Sequence, residues 1–188
     1  MNKIFIGDSR HVSRLPVPVR ARLDTIMEKG LPVIVGDANS ADKAMQRYLS
    51  FKNYNKVEVF CSGSECRNNI GHWKIRQIDA ETRSRGRSFY IAKDRAMARE
   101  ADFGLMVWDG KSKGTLLNVF RLLKQGKKVV VYNTSEQKFA EIRTFDQWGH
   151  FINLYGPELR RETEKEAELE EREEPNRHPP LLLPLMPG

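Results

Sequence analysis

Two short runs, Phe103-Gly104-Leu105-Met106-Val107-Trp108 and Val129-Val130-Val131-Tyr132, are almost continuously apolar, and between them Thr115–Gln125 has the pattern of a helix. A strand that is apolar on both faces has to be covered on both faces, which points to the interior of a parallel sheet. The same alternation runs back to the N-terminus. Lys3–Gly7 reads as a first strand, and Pro18–Lys29 as a helix with Val19, Leu23, Ile26 and Met27 on one face and Gly30 as its stop. Pro32–Val35 and Lys56–Cys61 read as further strands with a helix to about Leu49 between them. Another helix, near Lys93–Glu100, precedes Phe103–Trp108. The pattern predicts an α/β domain over residues 1–134, doubly wound, with a mainly parallel five-stranded sheet and flanking helices.

The alternation is broken once, by the long polar stretch Ser62–Arg87. With Arg67, Asn68, Asn69, His72, Trp73 and Arg76 it reads either as a lid suited to phosphate contacts and base stacking, or as a long loop packed by Trp73 and Ile75. Cys61 and Cys66 stand as Cys-x4-Cys, which is not the spacing of zinc ribbons or thioredoxin-type motifs. His72 alone does not complete a four-ligand structural zinc site. The expectation is two reduced cysteines and no metal. Residues 135–159 read as a peripheral element, with Lys138–Ile152 as strand or turn. Within the tail 160–188, Arg160–Glu174 is rich in helix formers but almost devoid of apolar residues, which predicts a solvated or frayed helix. The proline-rich end, Pro179–Gly188, predicts disorder or docking as an extended peptide.

Charge is spread unevenly. The chain is +7 overall, yet residues 160–178 hold eight glutamates against five basic residues and are −3, which leaves +10 on the rest. Such a body favours anionic partners, whether nucleotides, phosphorylated metabolites or nucleic acid; the plainer alternative is solubility. No window approaches the roughly 18 apolar residues of a membrane span, and no apolar leader precedes the first strand-like run. A cytoplasmic protein with no membrane partner is expected.

In an open α/β sheet, ligands bind beyond the carboxyl ends of the strands. The clearest signal there is Trp108-Asp109-Gly110-Lys111-Ser112-Lys113-Gly114-Thr115. Gly110 and Gly114 allow close approach of the backbone to an anion, Lys111 and Lys113 add charge, Ser112 adds a hydroxyl, and Thr115 opens a helix whose amides point outward. The alternative is a surface turn in which Thr115 is an N-cap. It is not a Walker A loop. Gly36 and Asp42, in Gly36-Asp37-Ala38-Asn39-Ser40-Ala41-Asp42, suit either a sugar or phosphate lying on the backbone or a plain helix start. Gly7, Ser9 and Arg10 follow the first strand, where Arg10 can clamp a phosphate or sit solvated.

In order and position these residues resemble the SLOG superfamily. The matching features are Gly7-x-Ser9-Arg10, Gly36-x-Ala38-x2-Ala41-Asp42, Asp94-x2-Met97-x4-Asp102 and Trp108-Asp109-Gly110-x-Ser112-x-Gly114-Thr115. The likeness covers about residues 1–134 and is nearest the YspA-like branch; LOG phosphoribohydrolases and DprA-like proteins are related. It implies a Rossmann-like fold that binds nucleotides or nucleotide-derived ligands. LOG enzymes and nucleoside deoxyribosyltransferases carry a glutamate after their Gly-Thr, and here the matching position is Asn118, an amide that cannot activate water.

The function expected is binding or sensing of a phosphorylated nucleotide-type ligand, without a further cofactor. One alternative is a nucleotide N-glycosidase or nucleoside transferase, with Asp37 and Asp109 as the general acid/base pair facing each other across the ligand. Another is a DprA-like nucleic-acid-binding protein. Self-association into a homo-oligomer is expected.

Overall fold

The β-branched and aromatic runs occupy the strand positions that their composition predicts. The computed structural model describes residues 2–9, 12, 14–39, 41–63, 65–78 and 87–172. In chain order these form β1 (Ile4–Asp8), α1 (Val17–Glu28), β2 (Val33–Val35), α2 (Ala41–Phe51), β3 (Val57–Ser62), β4 (Lys74–Ile78), α3 (Arg87–Glu100), β5 (Phe103–Trp108), α4 (Lys113–Lys124), β6 (Lys128–Asn133), β7 (Lys138–Ile142), α5 (Phe145–Asn153) and α6 (Pro157–Arg172). The main departure among the expected helices is α3, which begins at Arg87 rather than near Lys93.

The strands form one sheet in the order β4-β3-β2-β1-β5-β6-β7. All neighbours are parallel except β6 and β7, which are antiparallel. The expected count of five is therefore corrected to seven among the described residues. The two additional strands are the edges. β4, Lys-Ile-Arg-Gln-Ile, lies inside the stretch read as lid or loop, and its side chains are largely exposed. Edge strands protect themselves with charge, so β4 lacks the apolar run that marks an interior strand. β7 is the peripheral strand expected after residue 134.

Side chains alternate across the sheet and feed two core layers. Ile4 and Ile6 pack with Val19, Leu23, Met45 and Leu49 beneath α1 and α2. Phe5 packs on the other face with Met97, Leu116, Leu122, Trp148 and Ala167, beneath α3 to α6. Trp108 and Trp148 are both fully buried, and each such side chain contributes roughly 1.5–3 kcal/mol by leaving water. The order of strands reverses at β1, where the chain leaves toward β2 on one side and returns to β5 on the other. The carboxyl ends of β1 and β5 thus flank a crevice.

The C-terminal helix is not the solvated element expected. Its inner stripe, Thr163, Ala167 and Glu170, is buried, at a spacing that keeps one face toward the protein. The stripe escaped notice because two of its three members are polar. Glu170 accepts hydrogen bonds from Arg121 Nη2 at 2.5 Å and Nε at 3.1 Å, and Trp148 Nε1 donates to Glu164 at 3.1 Å. Removing one partner of a buried ion pair costs about 3–5 kcal/mol. Glu170→Ala is expected to lower unfolding free energy in urea by about 3 kcal/mol, and Glu170→Gln by less. A loss within noise for Glu170→Ala would mean that α6 is not docked.

Candidate functional site

Three strand ends meet at the crevice, and each is tied down by a buried polar side chain. Ser9, which follows β1 directly, is 1% exposed. Its hydroxyl accepts from the Asp109 amide at 3.1 Å and shares a 3.0 Å hydrogen bond with Thr115 Oγ1. Ser9 and Thr115 thus join the end of β1 to the start of α4; they are the frame of the loop rather than its open face. Gly7 is a packing residue, because a Cβ there would press on Met106 Sδ at 2.8 Å.

The β5–α4 loop is shaped by Asp109. Its carboxylate accepts from the amides of Lys111 at 3.0 Å and Ser112 at 2.7 Å and from Ser112 Oγ at 3.0 Å. Burial works against ionisation, but the Ser112 and Lys111 amides and the Ser112 hydroxyl outweigh it and lower the pKa of Asp109. Gly110 has φ +81°, in the left-handed region that favours glycine. Beyond it the first turn of α4 is open: Ser112 makes no side-chain cap, and nothing lies within 4 Å of where Gly114 would carry a Cβ. Lys111 is exposed and has no ion pair among the described residues, whereas Lys113 pairs with Glu162 of α6.

The β2 end carries a charge cluster. Asp37, 1% exposed, accepts from Lys93 Nζ at 2.9 Å and from Arg67 Nη2 at 2.8 Å, Nε at 3.1 Å and its amide at 3.1 Å. Burial alone would raise its pKa, but Arg67 and Lys93 overcome that and hold it at about 2. Lys93 Nζ also lies 3.7 Å from Asp42 Oδ2, which accepts from the Ala38 amide at 2.8 Å. Burial raises the pKa of Asp42 despite Lys93. Gly36 is the floor of this cluster, since a Cβ there would collide with the Asp42 carboxylate and approach Lys93 Nζ to 2.9 Å. No hydrogen bond or ion pair among the described residues joins Asp37 to Asp109; each is satisfied by its own partners.

Two residues here are not among those expected. Lys93 falls within an expected helix, where its neighbours Ala92 and Asp94 do not distinguish a buried ammonium from a solvated one. Asp8 stands between the expected Gly7 and Ser9. Both its carboxylate oxygens are shut off from solvent without a hydrogen-bond partner, and burial, reinforced by Asp42, holds its pKa well above the usual carboxylate range. By strand alternation it continues the face of Ile4 and Ile6, toward α2. Arg10, expected as a phosphate clamp, lies outside the described residues, as do residues 79–86 of the supposed lid and the tail from 173 onward.

Compared with known protein families, curated proteins and solved structures, the chain matches none. Its site is therefore read from its own residues.

The expectation of reduced cysteines is corrected. Cys61, at the end of β3, and Cys66 are joined as a disulfide. The turn after β3 folds back and brings their Cα atoms to 5.2 Å, within the usual range for such a bond. Asp37 lies close to both sulfurs, and the bridged turn delivers Arg67 to it. Asn68 Nδ2 donates to the Asp37 carbonyl at 2.8 Å, Trp73 is buried with Nε1 on the Tyr54 carbonyl, and Ile75 is exposed. Arg67 and Asn68 thus support the site's wall, whereas Trp73 packs at the amino end of β4.

Folding raises the pKa of Asp8, so the folded protein holds that proton more tightly than the unfolded chain. Where both states are protonated there is no penalty. As pH climbs through the ordinary carboxylate range the unfolded chain ionises first, and stability falls until Asp8 itself ionises. Asp8→Asn cannot ionise. It should exceed the native protein in urea-unfolding free energy by about 1 kcal/mol or more near pH 8, with the gap closing near pH 4. A gap independent of pH would remove Asp8 from the account.

Proposed function

We propose that the protein binds a phosphorylated nucleotide-type ligand at the switch point of the sheet, with the phosphate on the first turn of α4. The observation that carries this reading is the uncapped first turn of α4, open beside Gly114. Amides at a helix N-terminus favour an anion both by hydrogen bonding and through the helix dipole. On this reading Lys111 meets the phosphate directly, and the phosphate displaces Glu162 from Lys113. The Asp8 carboxyl at the neighbouring strand end, which has no hydrogen-bond partner among the described residues, meets the sugar or base on this reading. The resemblance to the SLOG superfamily, with its Rossmann-like fold, supports the same ligand class.

The open space at Gly114 yields a test that separates structural from functional glycine. Gly114→Ala should stabilise the free protein by up to about 1 kcal/mol through helix propensity, yet weaken nucleotide binding because the methyl stands where the phosphate lies. Lys111→Glu should weaken binding about tenfold or more and Glu162→Gln should strengthen it, as calorimetry with mono- and diphosphate nucleotides will read. If no nucleotide binds at millimolar concentration, or Gly114→Ala binds as well as the native protein, the reading fails.

A second reading is favoured by Asp8 alone: hydrolysis of the N-glycosidic bond of such a nucleotide. A carboxyl whose pKa is raised by burial is the type of group that acts as general acid. Here it would give its proton to the departing base as the C–N bond breaks, the oxygen of water would bond to the sugar carbon, and the proton that this water sheds would restore the Asp8 carboxyl. Asp37 and Asp109, held ionised by their partners, are the weaker candidates for that role. Chromatography of a nucleoside monophosphate incubated with the protein should then show free base and sugar phosphate, both lost in Asp8→Asn. Release unaffected by Asp8→Asn rules this reading out.

A further inference from the structure

A groove of about 700 Å³ runs between the start of α1 and the outer face of α2, built from residues that the strand-end site does not use. Its floor includes Leu15, which is buried, and Ala44. Its lip carries Val17, 67% exposed, and Phe51, 79% exposed. A phenylalanine left in water forgoes roughly 1.5–3 kcal/mol of burial. On α2 the residues Ala44, Arg47, Tyr48 and Phe51 recur at i, i+3, i+4 and i+7, a second stripe beside the core-facing Met45 and Leu49.

Around this apolar floor stand Arg14, Arg20 and Arg47, and no carboxylate lines the groove. None of the three arginines has an ion-pair partner among the described residues. Asp24, one turn beyond Arg20, is taken by Lys52 Nζ at 3.0 Å and by the Tyr48 hydroxyl at 2.9 Å, and meets Arg20 only as a through-space charge. The groove therefore combines apolar anchor sites with uncompensated positive charge.

We propose that this groove docks an acidic amphipathic helix of another protein, its apolar side chains seated on Leu15, Val17 and Phe51 and its flanking carboxylates on Arg14, Arg20 and Arg47. Recognition of this kind reads apolar anchors at i, i+3 or i+4, and i+7 of the incoming helix. Nucleic acid fits less well. Tyr48 has Lys52 over its ring at 5.4 Å and its hydroxyl on Asp24, so Phe51 is the one aromatic lining residue with a free face, and a strand of bases would leave the aliphatic floor unused. A second copy of the chain also fits poorly, because its acidic helix α6 keeps the stripe Thr163, Ala167 and Glu170 inside its own fold.

The test is fluorescence anisotropy on the full chain with a labelled synthetic helix carrying leucines at i, i+4 and i+7 flanked by glutamates. Controls are a peptide of the same composition with the leucines spread around the helix, and a labelled single-stranded oligonucleotide. The patterned peptide should bind at least about tenfold more tightly than the scrambled one, and less tightly as salt rises. Arg47→Glu and Phe51→Ser, both at exposed positions, should each cost about tenfold or more while leaving the thermal midpoint unchanged. Equal binding of the two peptides, tighter binding of the oligonucleotide, no binding of the patterned peptide at millimolar concentration, or indifference to both substitutions overturns the proposal. So does a dimer in sedimentation equilibrium that Phe51→Ser dissolves, since the groove would then be filled by a second copy.

Discussion

The ammonium of Lys93 is the tie on which the carboxyl end of the sheet depends. It reaches from α3 across the end of β2 to Asp37 and toward Asp42 on α2, and so couples the two helical layers that cover opposite faces of the sheet. At such distances, with an effective dielectric constant near 20, each attraction is about 4 kcal/mol before desolvation is subtracted. Desolvation of buried ions takes back much or all of that. What the cluster secures is position more than net stability: with Asp37 neutralised by Lys93 and Arg67, the ends of β2 and β3 and the start of α2 have one arrangement that leaves no ion unpaired. Gly36 makes the arrangement possible, because any side chain there would occupy the space of the Asp42 carboxylate.

The charge count also explains the state of Asp8. Asp37 and Asp42 already face Lys93 and Arg67, so two negative charges meet two positive ones. A third buried carboxylate has no counter-ion among the described residues, and burial without a partner disfavours its ionised form. The neighbouring half of the site is held by hydroxyls, backbone amides and the Asp109 carboxylate instead. The Ser9 hydroxyl fixes the Asp109 amide and Thr115, and Asp109 in turn fixes Lys111 and Ser112. The open backbone of α4 is thus preorganised by residues that themselves face inward.

What could be read from sequence follows from how each signal arises. Interior strands announce themselves by apolar runs, so Phe103–Trp108 was placed to the residue. β4 is hidden because an edge strand need not be apolar, and α6 because its buried stripe includes Thr163, whose hydroxyl turns back on the Leu159 carbonyl, and Glu170, which is paired with Arg121 and Arg95 from other helices. The loop Gly110–Thr115 is legible as a tight turn into a helix from its glycines and its place after a buried strand. The division of labour within it is not. Only three-dimensional neighbours show that Ser9 and Thr115 are the frame, that Lys113 is engaged by Glu162, and that Asp37 is an ion-pair hub. The disulfide was missed for a related reason: Cys-x4-Cys matches no motif, and its closure depends on the turn that follows β3.

The two halves of the strand-end site are opposite in character, and on the proposed reading that opposition couples them. Asp8 and Ser9 are adjacent, so a phosphorylated ligand on the first turn of α4 brings negative charge toward a carboxyl whose pKa burial and Asp42 already raise. A nearby anion disfavours ionisation further, so ligand binding and proton retention at Asp8 reinforce each other by linkage. A glutamate in place of Asn118 would be a further acidic group on α4. Here Asn118 Oδ1 instead accepts from Arg121 and belongs to the network that docks α6. In this chain Asn118 therefore serves packing, joining α4 to the Arg121–Glu170 pair that holds α6.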